Sequence, residues 1–161
     1  MKTALYPGTF DPVHNGHLDL LRRANRIFDR ILLGVAASQP KSTLFPLQER
    51  IAMAAEATAD MPSVEVVSFE GLLVQALDEL GADVVIRGVR LFQDFEYEYK
   101  MALMNRRLSE RFDVFFLMPS ENFLSVSSTL IKDIHRHGGD VSGLVPGLVV
   151  DRLGARAGEQ E

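Results

Sequence analysis

"TALYPGTFDPVHNGHLDLL", residues 3–21, is the stretch on which the fold is read. It begins with a short apolar run, "TALY" (3–6), and turns through Gly8 and Pro12. It then enters a segment where Leu18, Leu21, Ala24 and Phe28 form one helical stripe over 17–28. Strand, glycine-bounded turn and helix together make the start of a βα unit. Four further apolar runs follow: "RILLGVAA" (30–37), "VEVVSF" (64–69), "DVVIRG" (83–88) and "DVFFLM" (113–118). Most are continuously apolar, as strands covered on both faces are, so Phe115, Phe116 and Met118 are expected to be buried. Helical patterns fill the intervals. One spans 47–59 through Leu47, Ile51, Ala54 and Ala55, and another spans 72–80 through Leu73, Ala76, Leu77 and Leu80, stopped by Gly81. A long helix is expected over 93–110, and a fifth from Ser127–Thr129 to Gly138-Gly139. The alternation predicts an α/β fold: a doubly wound parallel five-stranded sheet, single domain over 1–161, with a tail at about 155–161 that frays.

The chain has 161 residues, 47% of them apolar and 24% charged, enough for one globular core. A net charge of −5 argues against nucleic acid or an anionic membrane as the main partner. No apolar run is long enough to span a bilayer. With no cysteines, disulfides, thiolate chemistry and cysteine-ligated metals are excluded. Residues 1–6 read as a strand rather than a signal peptide, so a cytoplasmic location is expected.

In doubly wound sheets ligands sit beyond the carboxyl ends of the strands, where the topology switches direction. The segments there are "PGTFDPVHNGH", "SQPKSTLF", "EGLL", "RGVR" and "PSENFLSVSST". Four are rich in Gly, Ser, Thr, Lys, Arg or His, and "EGLL" offers only its glycine. Neither a Walker A sequence nor GxGxxG is present. Instead His14-Asn15-Gly16-His17 enters a helix. Glycine lets backbone approach a ligand, a helix start favours anions, and histidine can donate a hydrogen bond or carry charge beside phosphate. The same residues also admit a bland reading, in which Thr9 or Asp11 caps a turn and His17 lies on the surface. A zinc site at His14 and His17 lacks a clear third ligand.

Arg87 and Arg90 leave the end of "DVVIRG" three residues apart, and guanidinium forks suit phosphate oxygens. Ion pairs with Asp94, Glu96 or Glu98 would use the same groups. Lys41, in a Pro/Ser-flanked loop, reads by itself as a solvated lysine. Ser127, Ser128 and Thr129 cap a helix and can equally present hydroxyls and N–H groups to a phosphate. His135 and His137, beside Arg136, complement a helix dipole. The run Phe92, Phe95, Tyr97, Tyr99, Met101 and Met104 is too apolar around its circumference for a one-faced surface helix. Core packing takes part of it and a subunit interface the remainder.

"HNGH" resembles the (T/H)xGH signature of the nucleotidylyltransferase superfamily, whose Rossmann-like domains transfer a nucleotidyl group with pyrophosphate leaving. From "YPGTFDP" through "IRGVR", "DFEYEYKMALMNR" and "VSSTLIK" to "HGGDVSGLVP", the chain is similar nearly end to end to the phosphopantetheine adenylyltransferase family. The block within 87–106 is the most discriminating. The resemblance implies transfer of AMP from ATP to 4′-phosphopantetheine, giving dephospho-coenzyme A and pyrophosphate by direct in-line attack. It implies catalytic roles for His17, Lys41 and Arg90, and a phosphopantetheine site of Thr9, Lys41, Leu73 and Arg87. It assigns ATP contacts to Thr9, Phe10, His17, Gly88, Val89, Arg90 and Glu98, and to Phe123, Leu124, Ser125, Val126, Ser127, Ser128 and Thr129. It further implies Mg²⁺ held mainly by substrate phosphates, a homohexamer and feedback binding of coenzyme A. The attacking phosphate is already an anion, so the protein must mainly hold two anions together and neutralise their charge.

The chain departs from the family at His14, where many members have Thr, and at Phe123, where Trp or Tyr is usual. "HNGH" leans toward nicotinate or nicotinamide mononucleotide adenylyltransferases, which share the chemistry. A non-catalytic nucleotide-binding module on the same scaffold is the alternative from another class.

Overall fold

Five parallel strands build one sheet: β1 (Thr3–Gly8), β2 (Arg30–Ala36), β3 (Val64–Phe69), β4 (Val84–Gly88) and β5 (Val114–Leu117). They are seen in a computed structural model that describes residues 2–37 and 43–158. The order is β3-β2-β1-β4-β5, so the sheet is wound outward in both directions from β1, as expected. The helices are α1 (Asn15–Ala24), α2 (Leu47–Ala57), α3 (Leu73–Glu79), α4 (Phe92–Leu108), α5 (Ser128–Arg136) and α6 (Gly147–Gly158).

The period of two along each strand divides the core between two faces. Ala4 and Tyr6 of β1, Ile31, Leu33 and Val35 of β2, and Val84 and Ile86 of β4 join one cluster. There they meet Leu21 and Ala24 of α1, Met53 and Ala54 of α2, Ile131 of α5, and Val149 and Leu153 of α6. Leu5, Leu32 and Val85 point the other way, onto Val74, Ala76 and Leu77 of α3 and onto Phe112. The long helix α4 contributes only Asn105 as a buried residue.

Two expectations need correction, and one helix is new. The outer strands are not covered on both faces: Phe115 is 46% and Met118 67% exposed, and Phe116 is only half-buried. The reason is topological: β5 is the edge strand, so no further βα unit brings another helix over its faces. Helix α1 stops at Ala24, and Phe28 reaches the core through a turn in which its N–H donates to the Ala24 carbonyl. Helix α6 was not anticipated. It forms because Val149 and Leu153, four residues apart, are fully buried, and it extends through Gly158 into the segment expected to fray.

The hydrogen-bonded register of β1 with β4 covers Ala4↔Val84 and Leu5↔Val85 only, whereas β1 continues to Gly8 and β4 to Gly88. Their carboxyl ends part at the point where the chain switches direction, which is where a ligand cleft belongs.

Candidate active site

A cleft of about 250 Å³ opens between those parted ends. Pro7, Gly8 and Phe10 line it, with His14 at the cap of α1, Gly16, His17 and Leu20 of that helix, and Arg87, Gly88, Arg90 and Glu98. Phe123, Val126, Ser127 and Ser128 close the remaining side. The cleft thus gathers Phe10, His17, Arg87, Gly88, Arg90, Glu98, Phe123, Val126, Ser127 and Ser128 from the expected set. Thr9, Val89, Leu124, Ser125 and Thr129 adjoin these on the same loops without forming its walls. Lys41 lies outside the described residues.

The two histidines form a reciprocal cap at the start of α1. His14 Nδ1 accepts from the His17 N–H at 3.3 Å, and His17 Nδ1 accepts from the His14 N–H at 3.2 Å. The rings stack with centroids 3.5 Å apart and planes 19° apart. A side chain at position 16 would crowd this arrangement, since a Cβ there would lie 3.0 Å from His14 Cε1. Burial, helped by the nearby Arg90, pushes His14 down to about 3. Burial, then His14 and Arg90, likewise holds His17 well below its ordinary value. Both rings are therefore neutral at physiological pH. With each Nδ1 accepting from backbone, the single proton sits on Nε2. The pair offers two neutral N–H donors rather than two cations, suited to phosphate oxygens.

Phe10 supports this geometry at a conformational cost. Its φ of 50° is left-handed, unusual for a bulky residue and of order 1–3 kcal/mol unfavourable. In return its buried ring meets His17 edge-on at 4.8 Å and Tyr6 at 5.6 Å. Burial raises the Tyr6 phenol above its ordinary value, so that hydroxyl also stays protonated.

Both arginines line the cleft and also make the ion pairs that the sequence allows. Arg87 Nε donates to Glu98 Oε2 at 2.7 Å, and Arg87 Nη1 donates to the Pro7 carbonyl at 3.1 Å. Arg90 Nε lies 3.4 Å from Asp94 Oδ2, and its Nη1 donates to the Val126 carbonyl at 2.7 Å. Each guanidinium is thereby aimed before any ligand arrives. Ser127 caps α5 by accepting from the Leu130 N–H at 3.1 Å, and Ser128 Oγ donates to the Pro12 carbonyl at 2.8 Å. The serine segment is thus tied directly to the loop bearing the histidines.

A second groove, about 210 Å³, lies under α4. Leu72, Leu73, Val85, Met101, Ala102, Phe112 and Val114 make it largely apolar, and Asn105 adds one buried amide. Arg87 and Glu98 belong to both cavities, so the two adjoin through that ion pair. "EGLL", from which only a glycine was expected, supplies Gly71, Leu72 and Leu73 to this wall. Sequence reasoning found Leu73 only through the resemblance, and missed Tyr6, Leu20 and Pro119 of the cleft because isolated apolar residues look like core.

Among the described residues no group of three or more His, Asp or Glu could hold a metal ion. No helix among them is long and apolar enough to cross a membrane.

Residues 5–134 match the cytidylyltransferase-like family. The chain is 52% identical over 147 residues, 91% of each protein, to the phosphopantetheine adenylyltransferase of Methylococcus capsulatus. Its fold is similar to that of a crystal structure from Vibrio parahaemolyticus described as a candidate nicotinate-nucleotide adenylyltransferase, with a TM-score of 0.73. That match covers 95% of this chain and 99% of the other at 20% identity, which shows the fold alone.

Proposed function

The chain belongs to the cytidylyltransferase-like family, and within it we propose that it transfers the adenylyl group of ATP to 4′-phosphopantetheine. It is a nucleotidyltransferase. A phosphate oxygen of phosphopantetheine attacks the α-phosphorus of ATP in line, the bond to the β-phosphate oxygen breaks, and pyrophosphate leaves as dephospho-coenzyme A forms. The nucleophile is an anion already, so no protein nucleophile or strong base takes part.

His17 donates through Nε2–H to the α-phosphoryl oxygens as charge builds there, worth about 10²–10³ in rate for one well-placed donor. Arg90 and the 123–129 segment hold the triphosphate. Thr9, Arg87 and Lys41 hold the attacking phosphate. The polar side chains that line the cleft are donors apart from Glu98, the one carboxylate among them, which Arg87 engages. That donor set fits Mg²⁺ carried on substrate oxygens and water, where it would neutralise phosphate charge, rather than a metal held by the protein.

The observation that carries the choice of acceptor is the pair of adjoining cavities. A phosphate held at Arg87 leaves an apolar groove beside it, lined by Leu73, Met101 and Ala102. That shape suits an extended pantetheine arm better than the flat base of a mononucleotide. Coenzyme A carries the same arm and an adenylate, so it competes for both cavities as a feedback inhibitor. The exposed α4 side chains, among them Phe92 (81%), Tyr97 (62%) and Met104 (55%), are covered in a homohexamer, which light scattering measures directly. The protein works in the cytoplasm, where both substrates are found.

Pyrophosphate release from ATP and Mg²⁺, with 4′-phosphopantetheine and nicotinate mononucleotide in parallel, tests the reading. Release with the first acceptor only is expected. Release with the mononucleotide only overturns the acceptor, and silence with both leaves a nucleotide-binding module.

A further inference from the structure

Two buried charges behind the cleft have no part in the chemistry described above. Arg50, in the first turn of α2, is 2% exposed and Asp11 is 3% exposed. Arg50 Nε donates to the Phe45 carbonyl at 3.1 Å, and its Nη1 donates to the carbonyls of Thr9 at 2.7 Å and Ala36 at 3.0 Å. Asp11 Oδ1 accepts from the Phe45 N–H and Oδ2 from the Leu44 N–H, both at 2.9 Å. Asp11 Oδ2 also accepts from Lys132 Nζ of α5 at 2.8 Å. The Phe45 backbone is gripped at both its N–H and its C=O by charged side chains.

Stability alone is a poor account of Arg50. A cation in the first turn faces the positive end of the helix dipole. A buried guanidinium is costly to desolvate, and a well-packed apolar residue would serve the core at least as well. What an apolar residue cannot do is bind three carbonyls from three separate places: the exit of β1 at Thr9, the exit of β2 at Ala36, and the entry to α2 at Phe45. Ala36 and Phe45 stand in sequence on either side of the segment that contains Lys41. The groups assigned to the triphosphate have other anchors: Arg90 on Val126, Ser127 on Leu130, Ser128 on Pro12.

We infer that Arg50 is a positioning residue for the acceptor: it sets Thr9 and the flanks of the Lys41 segment relative to one another, and so governs binding of the 4′-phosphate more than that of ATP. It acts through backbone carbonyls and touches no substrate. The inference rests on the acceptor reading above.

The test compares Arg50→Met and Arg50→Lys with the unaltered protein, measuring both Michaelis constants and the melting temperature. For Arg50→Met we expect KM for 4′-phosphopantetheine to rise about tenfold or more while KM for ATP stays within about threefold. Arg50→Lys, keeping a donor on a shorter stem, should recover part of the acceptor KM. A fall in melting temperature with both constants unchanged, or an equal rise in both, overturns the inference. If Arg50→Met does not fold, Arg50→Lys decides by the same ratio. Unaltered protein that is silent with this acceptor sinks the acceptor reading itself, and the inference with it. Active protein with unselective variants sinks the inference alone.

Discussion

The two faces of the sheet are built differently. On one, four helices seal a continuous core that includes Leu21, Ile31, Met53, Ile131 and Val149. On the other, α3 seals a smaller cluster while α4 stands off, leaving the 210 Å³ groove and a row of exposed aromatics and methionines. Reaction geometry needs groups fixed to fractions of an ångström, and the histidine pair stands on the sealed face at the start of α1. A long, flexible acceptor of the kind proposed needs open apolar surface, and that lies on the other face. On the proposed function, substrate chemistry and substrate accommodation are divided by the sheet.

Substitutions should respect that division. The largest effect is expected on the sealed side, where His17→Ala should lower kcat by about 10²–10³, or about 3–4 kcal/mol, with the circular dichroism spectrum unchanged. An unchanged turnover would remove His17 from the chemistry. Leu21→Ala, deep in the sealed core, should cost about 3 kcal/mol in urea unfolding. A loss below 1 kcal/mol would mean that the two faces do not differ as described.

Acid sharpens the same contrast. His14 is neutral in the folded chain but binds a proton near pH 6.5 when unfolded, so the unfolded state takes up more protons as pH falls. Stability is therefore full above about pH 7 and is lost on going down, by about 2 kcal/mol from this residue between pH 7 and 5. His14→Thr should flatten that acid slope in paired unfolding curves, and an identical slope would show that the cap is not the cause. The smallest effect is expected on the open side. Ala102→Phe, narrowing the groove, should raise KM for phosphopantetheine about tenfold, or about 1.4 kcal/mol, and leave KM for ATP alone. A rise in both constants would place the groove within the ATP site.

Strand positions were readable because buried parallel strands are continuously apolar, and β3 begins and ends where the pattern did. Edge exposure was not readable, since "DVFFLM" looks the same whether or not a helix covers it. Helix α6 was hidden by Gly147, Gly154 and Gly158, whose local preference against helix is overridden by burial of Val149 and Leu153. In the site, the histidines and arginines announce themselves by type and spacing. The neutral state of the histidines does not, because it follows from burial and from which backbone groups their Nδ1 atoms meet. Arg50 was passed over because a single charge in an amphipathic pattern reads as surface, and Asp11 was read only as a turn cap.

The central place of β1 bears on how the protein is made. β1 can pair with β2 as soon as that strand has been made, but its other partner, β4, lies 80 residues further along at Asp83, whose carboxylate accepts from the Thr3 N–H. At about 5–20 residues per second, the first strand waits roughly 4–16 s on the ribosome with one edge open. Both walls of the cleft, the turn after β1 and the turn after β4, meet only at that closure. A nascent chain therefore gains no partial substrate site on the way, and pairing at that open edge is the step at which a folding helper or an aggregation partner would intervene.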